Sequence, residues 1–125
     1  NSDIVTLHVP YFSENKHLIN SSNISLMKES AYLINTARGE LIETQALLKA
    51  LSSKKIAGAG LDVLEVEKEL KDLKTLLENN AVINMPNVLI TPHIAFFSRE
   101  ACVEISKTTV QNIKSFIDGN TENLI

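Results

Sequence analysis

Four short apolar runs, separated by segments with helical spacing, constrain the fold of this chain more than any other feature. The runs are Ile4 to Val9, Tyr32 to Thr36, Ile56 to Val63 and Val88 to Thr91. Their aliphatic and β-branched side chains are typical of buried strands. Strands that alternate with helices predict an α/β layer structure with a parallel sheet and right-handed crossovers. Because the first run is apolar on both faces, we expect it to be a central strand.

Capping residues indicate where the intervening helices begin and end. Asn23 is the predicted N-cap of a short helix over residues 24–28, and Thr44 is the predicted cap of the next helix. Ser98 begins the longest helix, and Gly119 ends it. The positions predicted to face inward are Met27, Leu47, Leu48, Leu51, Leu70, Leu73, Leu77, Cys102, Ile105, Thr109, Ile113 and Phe116.

The composition excludes several classes of function. An apolar fraction of 44% and a charged fraction of 22% are ordinary for a globular protein. A net charge of −3 gives no basic face for a nucleic acid. No apolar run approaches the roughly 20 residues that span a bilayer. A single cysteine, Cys102, forms no intrachain disulfide and fits a reducing compartment, so we expect a cytoplasmic protein.

Polar residues gather where the predicted strands end. These strand ends carry His8-Val9-Pro10, Thr36-Ala37-Arg38, Asp62 through Glu65, and Pro92-His93. In parallel α/β sheets, ligands bind outside the carboxyl ends of the strands. The pattern therefore predicts an active-site rim at this edge of the sheet.

Arg38, Glu65 and His93 form the candidate catalytic set. A carboxylate bonded to one ring nitrogen fixes the tautomer of a histidine and favours its protonated form. A guanidinium offers parallel donors that match a carboxylate. Together the three groups would suit reduction of a 2-keto acid, with a hydride arriving from a nicotinamide.

Simpler interpretations of these residues remain open. Arg38 beside Gly39 is also what a solvated turn looks like, and Glu65 begins an acidic, lysine-rich run that needs no function. His93 after Thr-Pro can simply end a strand. His8, His17 and Cys102 lack the spacing of a metal site, so none is predicted.

Three motifs resemble those of the D-isomer-specific 2-hydroxyacid dehydrogenases. They are Leu-Ile-Asn-Thr-Ala-Arg-Gly-Glu-Leu-Ile (33–42), Ala-Gly-Ala-Gly-Leu-Asp-Val-Leu-Glu (57–65) and Asn-Val-Leu-Ile-Thr-Pro-His-Ile-Ala-Phe (87–96), and residues 2–10 also match. Their order and spacing are those of the family. The Phe96-Phe97 pair resembles the D-lactate dehydrogenase branch. The resemblance implies a Rossmann-type three-layer architecture, of which this chain is the second half.

The resemblance also implies NAD as cofactor, a small 2-keto or 2-hydroxy acid as substrate, and a homodimeric parent protein. Arg38 would bind and polarise the substrate, Glu65 would pair with His93, and His93 would donate the proton. The implied cofactor contacts are Val9, Pro10 and Asn15 on the adenosine side, Thr36, Ala37 and Arg38 near the nicotinamide, and Asp62 at its carboxamide.

Parts of the family pattern are missing from this sequence. It has no Gly-rich phosphate loop, and Gly58 and Gly60 instead read as a close-packing pair in the third strand, which a helix or ligand can approach. We expect a fragment, with residues 1–97 as half of the NAD-binding domain and 98–125 as a helix that packs on an absent substrate domain. By itself the fragment should be inactive. The alternatives are a non-catalytic NAD-sensing or corepressor-like domain and, less well matched, a flavodoxin-like signalling domain.

Overall fold

A computed structural model of the chain describes residues 1–65 and 81–120. The chain divides into two compact units, Asn1–His93 and Ile94–Ile125. The helix predicted around Leu70, Leu73 and Leu77 lies outside the described residues.

The first unit is built on a four-stranded sheet in the order β1-β2-β3-β4. The strands are β1 (Ile4–Leu7), β2 (Tyr32–Asn35), β3 (Gly58–Leu61) and β4 (Val88–Ile90). Every neighbouring pair is parallel, which confirms the predicted α/β class. Each strand ends one or two residues earlier than the sequence predicts.

The position of β1 differs from the prediction. It is an edge strand whose only pairing among the described residues is with β2, and Ile4 is 63% exposed. A strand whose side chains are apolar on both faces can still lie at the edge of a sheet, because its sequence does not determine which strands pair with it. Within this chain β1 therefore lies at the edge of the sheet, and a central position in the sheet of a longer protein stays a prediction.

Two helix starts also differ from the predicted ones. Helix α1 (Ser21–Ile24) is capped by Asn20, whose side chain accepts from the backbone of Ser22 and Asn23. Asn23, the predicted cap, instead accepts a hydrogen bond from the Asn20 backbone N–H through its side-chain oxygen, which completes a capping box. Helix α2 (Thr44–Ser52) has Glu43 at its N-cap position without a side-chain cap, and Thr44 is its first residue.

The core lies between α1, α2 and one face of the sheet. On that face Leu33 is fully buried, and Ala59 and Leu61 are nearly so. Leu47 and Leu51 of α2 pack into the same cluster, as predicted, while Leu48 is only partly buried. On the other face Ile4, Tyr32 and Leu89 are more than half exposed.

Gly58 and Gly60 allow close packing against neighbouring chain segments in the sheet region. A Cβ on Gly58 would lie 2.6 Å from the backbone oxygen of Asn87 and 3.1 Å from the ring of Tyr32. A Cβ on Gly60 would lie 3.0 Å from Cδ1 of Ile34. The close neighbours of these glycines are Tyr32, Ile34 and Asn87, and the approach of a helix or ligand stays a prediction.

The second unit is dominated by helix α3 (Arg99–Ile117). Ser98 caps it by accepting from the backbone of Ala101, and Gly119 follows its end with φ of 74°, so both predicted ends are confirmed. Of the predicted inner stripe, Ile105, Ile113 and Phe116 are more than half exposed. Among the described helices, none is long and apolar enough to cross a membrane.

Replacing Gly58 with alanine should lower the free energy of unfolding by about 1–3 kcal/mol, because the added methyl group must displace a backbone oxygen. Gly60→Ala is the matched control and should cost less, since its contact is the mobile end of a side chain. Urea denaturation of the two variants would measure both losses. An equal loss for the two would contradict the packing described for Gly58.

Candidate active site at the carboxyl edge of the sheet

An open cleft of about 470 Å³ lies beyond the ends of β1 and β2. Pocket volumes of this size are common for small-molecule and cofactor sites. Its lining residues are His8, Val9, Pro10, Tyr11, Thr36, Ala37 and Arg38. Five of the residues predicted to contact a cofactor therefore line one cleft.

Asn15 organises the loop beside this cleft. Its side-chain amide donates to the carbonyl of Pro10 at 2.8 Å, and its side-chain oxygen accepts from the backbone of Phe12 at 2.8 Å. The loop contains a short 3-10 helix, Ser13–Asn15. Asn15 thus fixes the backbone that carries Val9 and Pro10.

Asn35 holds the turn that carries Arg38. This side chain is fully buried. Its amide donates to the carbonyl of Arg38 at 2.8 Å, and its oxygen accepts from the backbone of Ala37 at 3.0 Å. A buried amide satisfied by two backbone partners fixes the turn, because losing either bond would leave a polar group unpaired.

Gly39 brings the same turn against the chain beyond β3. A Cβ at this position would lie 2.0 Å from the carbonyl carbon of Leu64 and 2.4 Å from the backbone nitrogen of Glu65. Only glycine can be accommodated at such a separation. A short 3-10 helix, Gly39–Leu41, follows and has buried residues at both ends.

The guanidinium of Arg38 is exposed at the rim of the cleft. One of its nitrogens donates to the carbonyl of Ala37 at 2.7 Å. A guanidinium carries five N–H donors. The group can therefore stay anchored to its own turn and still bind a carboxylate through a second pair of donors.

A row of backbone hydrogen bonds connects this turn to His93. The backbone of Asp62 donates to the carbonyl of Asn35 at 2.9 Å, and the backbone of His93 donates to the carbonyl of Asp62 at 2.9 Å. Asp62 is buried, and its carboxylate accepts from the hydroxyl of Thr91 at 2.5 Å. The row brings the strand ends of β2, β3 and β4 together.

The backbone of His93 adopts an unusual conformation. Its φ is 56°, in the left-handed region that few residues other than glycine adopt, although histidine, asparagine and aspartate do so more often than the rest. Its N–H also approaches the carbonyl of Thr91 at 3.0 Å. The residue is exposed at the carboxyl edge of the sheet.

Glu65 binds two groups that the sequence analysis did not connect with it. Its Oε1 accepts from Nε2 of His17 at 2.5 Å. Its Oε2 accepts from the backbone of Thr44 at 3.1 Å and from the Thr44 hydroxyl at 2.6 Å. We call these three residues the Glu65 cluster. The predicted pairing of Glu65 with His93 stays a prediction.

The protonation of Glu65 follows from these contacts. Partial burial of the carboxyl raises its pKa, but hydrogen bonds from Thr44 and His17 together outweigh burial, so the pKa of Glu65 lies below its ordinary value. The carboxylate form is thereby favoured. It also caps the N-terminus of α2, where a negative charge is stabilising.

Sequence reasoning missed Asn35, His17 and Thr44 as parts of the site. Asn35 lies inside a quoted motif, directly before Thr36, and a polar residue at the end of an apolar strand was the available signal. His17 and Thr44 are 48 and 21 residues from Glu65. No local pattern connects residues at those separations.

Comparison with known proteins identifies the family. The model of the D-isomer specific 2-hydroxyacid dehydrogenase NAD binding domain matches residues 1–95. The chain belongs to this family. That match covers the sheet, the cleft and the whole row from Arg38 to His93.

Relatives within the family include named dehydrogenases. The D-lactate dehydrogenase of Lactiplantibacillus plantarum is 42% identical over 94% of this chain and 37% of its own length. The D-specific alpha-keto acid dehydrogenase of Enterococcus faecalis is 42% identical over 93% of this chain and 38% of its own length. This chain therefore spans less than two fifths of either relative.

A solved structure gives the same fold. The D-lactate dehydrogenase of Aquifex aeolicus, complexed with NAD and lactic acid, matches with a TM-score of 0.80 and 42% identity, over 97% of this chain and 39% of that one. The fold class predicted from the sequence is confirmed by this match and by the parallel sheet.

The residues at the cleft fit a dinucleotide of the kind this family binds. Val9, Pro10 and Ala37 supply apolar surface for flat rings, and Arg38 supplies charge at the rim. Asp62 lies outside the lining of the cleft, and its buried carboxylate accepts from the hydroxyl of Thr91. Val9, Pro10, Ala37 and Arg38 are therefore chemically suited to the contacts predicted for them.

Replacing Asn35 with alanine should destabilise the chain by about 1–3 kcal/mol, because the Arg38 carbonyl and the Ala37 N–H would lose buried partners. Asn87→Ala is the matched control, since it removes one side-chain hydrogen bond of 3.2 Å at a partly buried position. Urea denaturation of both variants would compare them. A loss for Asn35→Ala no greater than that of the control would contradict its role in the turn.

Proposed function

We propose that this chain supplies the substrate anchor, the proton donor and part of the cofactor cleft of an NAD-dependent dehydrogenase that reduces a 2-keto acid to a D-2-hydroxy acid. The supporting observation is the hydrogen-bonded row from the Arg38 turn through Asn35 and Asp62 to His93. Because the chain spans about two fifths of its relatives' length, the activity is proposed for a protein that contains this chain.

Arg38 is proposed to bind the substrate. Its exposed guanidinium can pair with the carboxylate of a 2-keto acid in a two-pronged contact. The same group would draw electron density from the neighbouring carbonyl oxygen, where negative charge develops during reduction. The rigid turn beneath it supports this role, since a fixed anchor holds the carbonyl in one orientation.

His93 is proposed to donate the proton. Reduced nicotinamide supplies a hydride to the carbonyl carbon when it is bound in this family. The protonated imidazole would give its proton to the carbonyl oxygen, so that the oxygen becomes the hydroxyl of the product. The pairing of Glu65 with His93, which would orient the ring, stays a prediction. It competes with a second role for Glu65, the positioning of Arg38.

Cofactor binding is proposed for the residues around the cleft. Val9, Pro10 and Asn15 would form the adenosine side, with Asn15 acting through the loop that it fixes. Thr36, Ala37 and Arg38 would form the nicotinamide side, and Asp62 would accept from the carboxamide. The shared cleft supports all of these assignments except those of Asn15 and Asp62, which lie outside its lining.

The remaining expectations concern assembly and location. We propose that the protein acts as a homodimer in the cytoplasm, as the sequence resemblance and the single cysteine imply. Light scattering of the complete protein would give its mass in solution.

The direct test of the function is a screen of the complete protein with NADH against a panel of 2-keto acids. Oxidation of NADH with formation of the D-hydroxy acid is the expected result. NADH binding without turnover on any member of the panel would favour the NAD-sensing alternative. The 125-residue chain by itself should be inactive, because it has no Gly-rich loop to hold the pyrophosphate.

Replacing His93 with asparagine should lower the turnover number for reduction by roughly 10²–10⁴-fold, which is the range for loss of a general acid. Asparagine is chosen because it also tolerates the left-handed backbone conformation. Steady-state kinetics at neutral pH would measure the loss. Unchanged turnover in a folded His93→Asn protein would exclude His93 as the donor.

Replacing Arg38 with lysine should raise the KM for the 2-keto acid and lower turnover, because an ammonium group cannot make the two-pronged contact. The loss in kcat/KM should be about tenfold or more, the scale of one charge-assisted hydrogen bond. Arg99→Lys, at the other arginine of the chain, is the matched control and should leave both constants unchanged. Similar kinetics in the two variants would refute the assignment.

A further inference from the structure

We propose that Glu65 is a positioning residue for Arg38, which it serves by fixing both ends of the segment that carries the guanidinium. This inference rests on the proposed function, because a fixed position of Arg38 matters only where Arg38 binds the substrate. It gives Glu65 a different role from the predicted pairing with His93.

The Glu65 carboxylate makes its hydrogen bonds to residues that do not line the cleft. Its two oxygens accept three hydrogen bonds, from Nε2 of His17 and from the backbone and hydroxyl of Thr44. The side chain is 21% exposed. Hydrogen bonds to an ionised carboxylate in a partly buried place are stronger than those between neutral groups. The Glu65 cluster therefore holds His17 and Thr44 in place relative to Glu65.

Glu65 contacts the start of the Arg38 segment through the backbone. Gly39 packs so closely against Leu64 and Glu65 that a single added carbon would overlap them. Any movement of the Glu65 backbone therefore displaces Gly39, and with it the adjoining residue Arg38.

The side chain of Glu65 holds the other end of the same segment. Thr44 follows Arg38 by only six residues, and the intervening Leu41 and Ile42 are buried. The missing side-chain cap of α2 is replaced by Glu65, which accepts from the first N–H of the helix. Segment 38–44 is thus bound to Glu65 at both ends.

His17 connects a third segment of the chain, residues 17–19, to the Glu65 cluster. Its backbone donates to the carbonyl of Glu40 at 2.9 Å, and Ile19 donates to the carbonyl of Leu41 at 2.9 Å. Residues 17–19 therefore run alongside residues 40–42, and the bond from the His17 ring to Glu65 closes the arrangement. Each contact limits the movement of the Arg38 segment.

Kinetics of the complete protein separate this role from the predicted one. With Glu65→Gln, the proposal expects the KM for the 2-keto acid to rise by about tenfold to a hundredfold, since a small displacement of a binding group has effects of that size. The pH dependence of turnover should keep its inflection, because the environment of the proton donor is unaltered. Glu29→Gln, at an exposed glutamate beyond the opposite end of the sheet, is the control.

Thr44 provides a second pair of variants that keeps Glu65 itself intact. Thr44→Val removes the hydroxyl donor and should raise the substrate KM, as Glu65→Gln does. Thr44→Ser keeps the hydroxyl donor and should leave the KM at its unaltered value. The double variant Glu65→Gln with Thr44→Val should be no worse than the more impaired single variant, because both break the same contact.

Hydrogen exchange gives a readout that does not depend on turnover. Amides of residues 38–42 should exchange at least tenfold faster in Glu65→Gln than in the unaltered protein or in Glu29→Gln. A protein that reduces no 2-keto acid would refute the proposed function, and exchange would still decide the role of Glu65.

Two results would overturn the proposal. A lowered turnover number with a shifted pH inflection and an unchanged KM in Glu65→Gln would assign the carboxylate to His93. Unaltered kinetics together with unaltered exchange at residues 38–42 would reduce Glu65 to a local cap of α2.

Discussion

The buried amide of Asn35 is the interaction on which the carboxyl edge of this sheet depends. Its side chain is hydrogen-bonded to the backbone of Ala37 and Arg38 and so closes their turn. Its backbone carbonyl accepts a hydrogen bond from the N–H of Asp62. The carbonyl of Asp62 in turn accepts a hydrogen bond from the backbone N–H of His93. Asn35, which has no role in the proposed reaction, therefore connects the proposed substrate anchor, Arg38, with the proposed proton donor, His93. Burial makes these bonds obligatory, because an unpaired amide in the interior is costly.

Much of this arrangement is predictable from the sequence because it follows from local periodicity. Apolar runs that end in polar residues give the strands, and parallel strands bring their carboxyl ends to a single edge. Arg38 and His93 follow directly from that rule, since each adjoins a strand end. The Gly39 contact and the loop of Asn15 involve residues within or beside the same motifs, but their geometry requires coordinates.

Other features were not predictable because they depend on distant residues. The edge position of β1 depends on which neighbours are present, and its side-chain pattern carries no information about them. The cap of α1 was predicted three residues late, since Asn20 and Asn23 are both good caps and a capping box uses both. The partners of Glu65 come from two other parts of the chain. A charged run in a sequence gives no sign of which carboxylate will be enclosed.

The contact between Gly39 and the backbone of Leu64 has a consequence for engineering of substrate range. An arginine followed by glycine usually reads as a flexible loop, which designers lengthen or shorten to admit new molecules. Here the glycine marks the opposite, a segment packed backbone against backbone with no room for a single added carbon. Under the role proposed for Arg38, a wider or narrower choice of acids would have to come from side chains around the guanidinium, because the fold fixes the backbone that carries it.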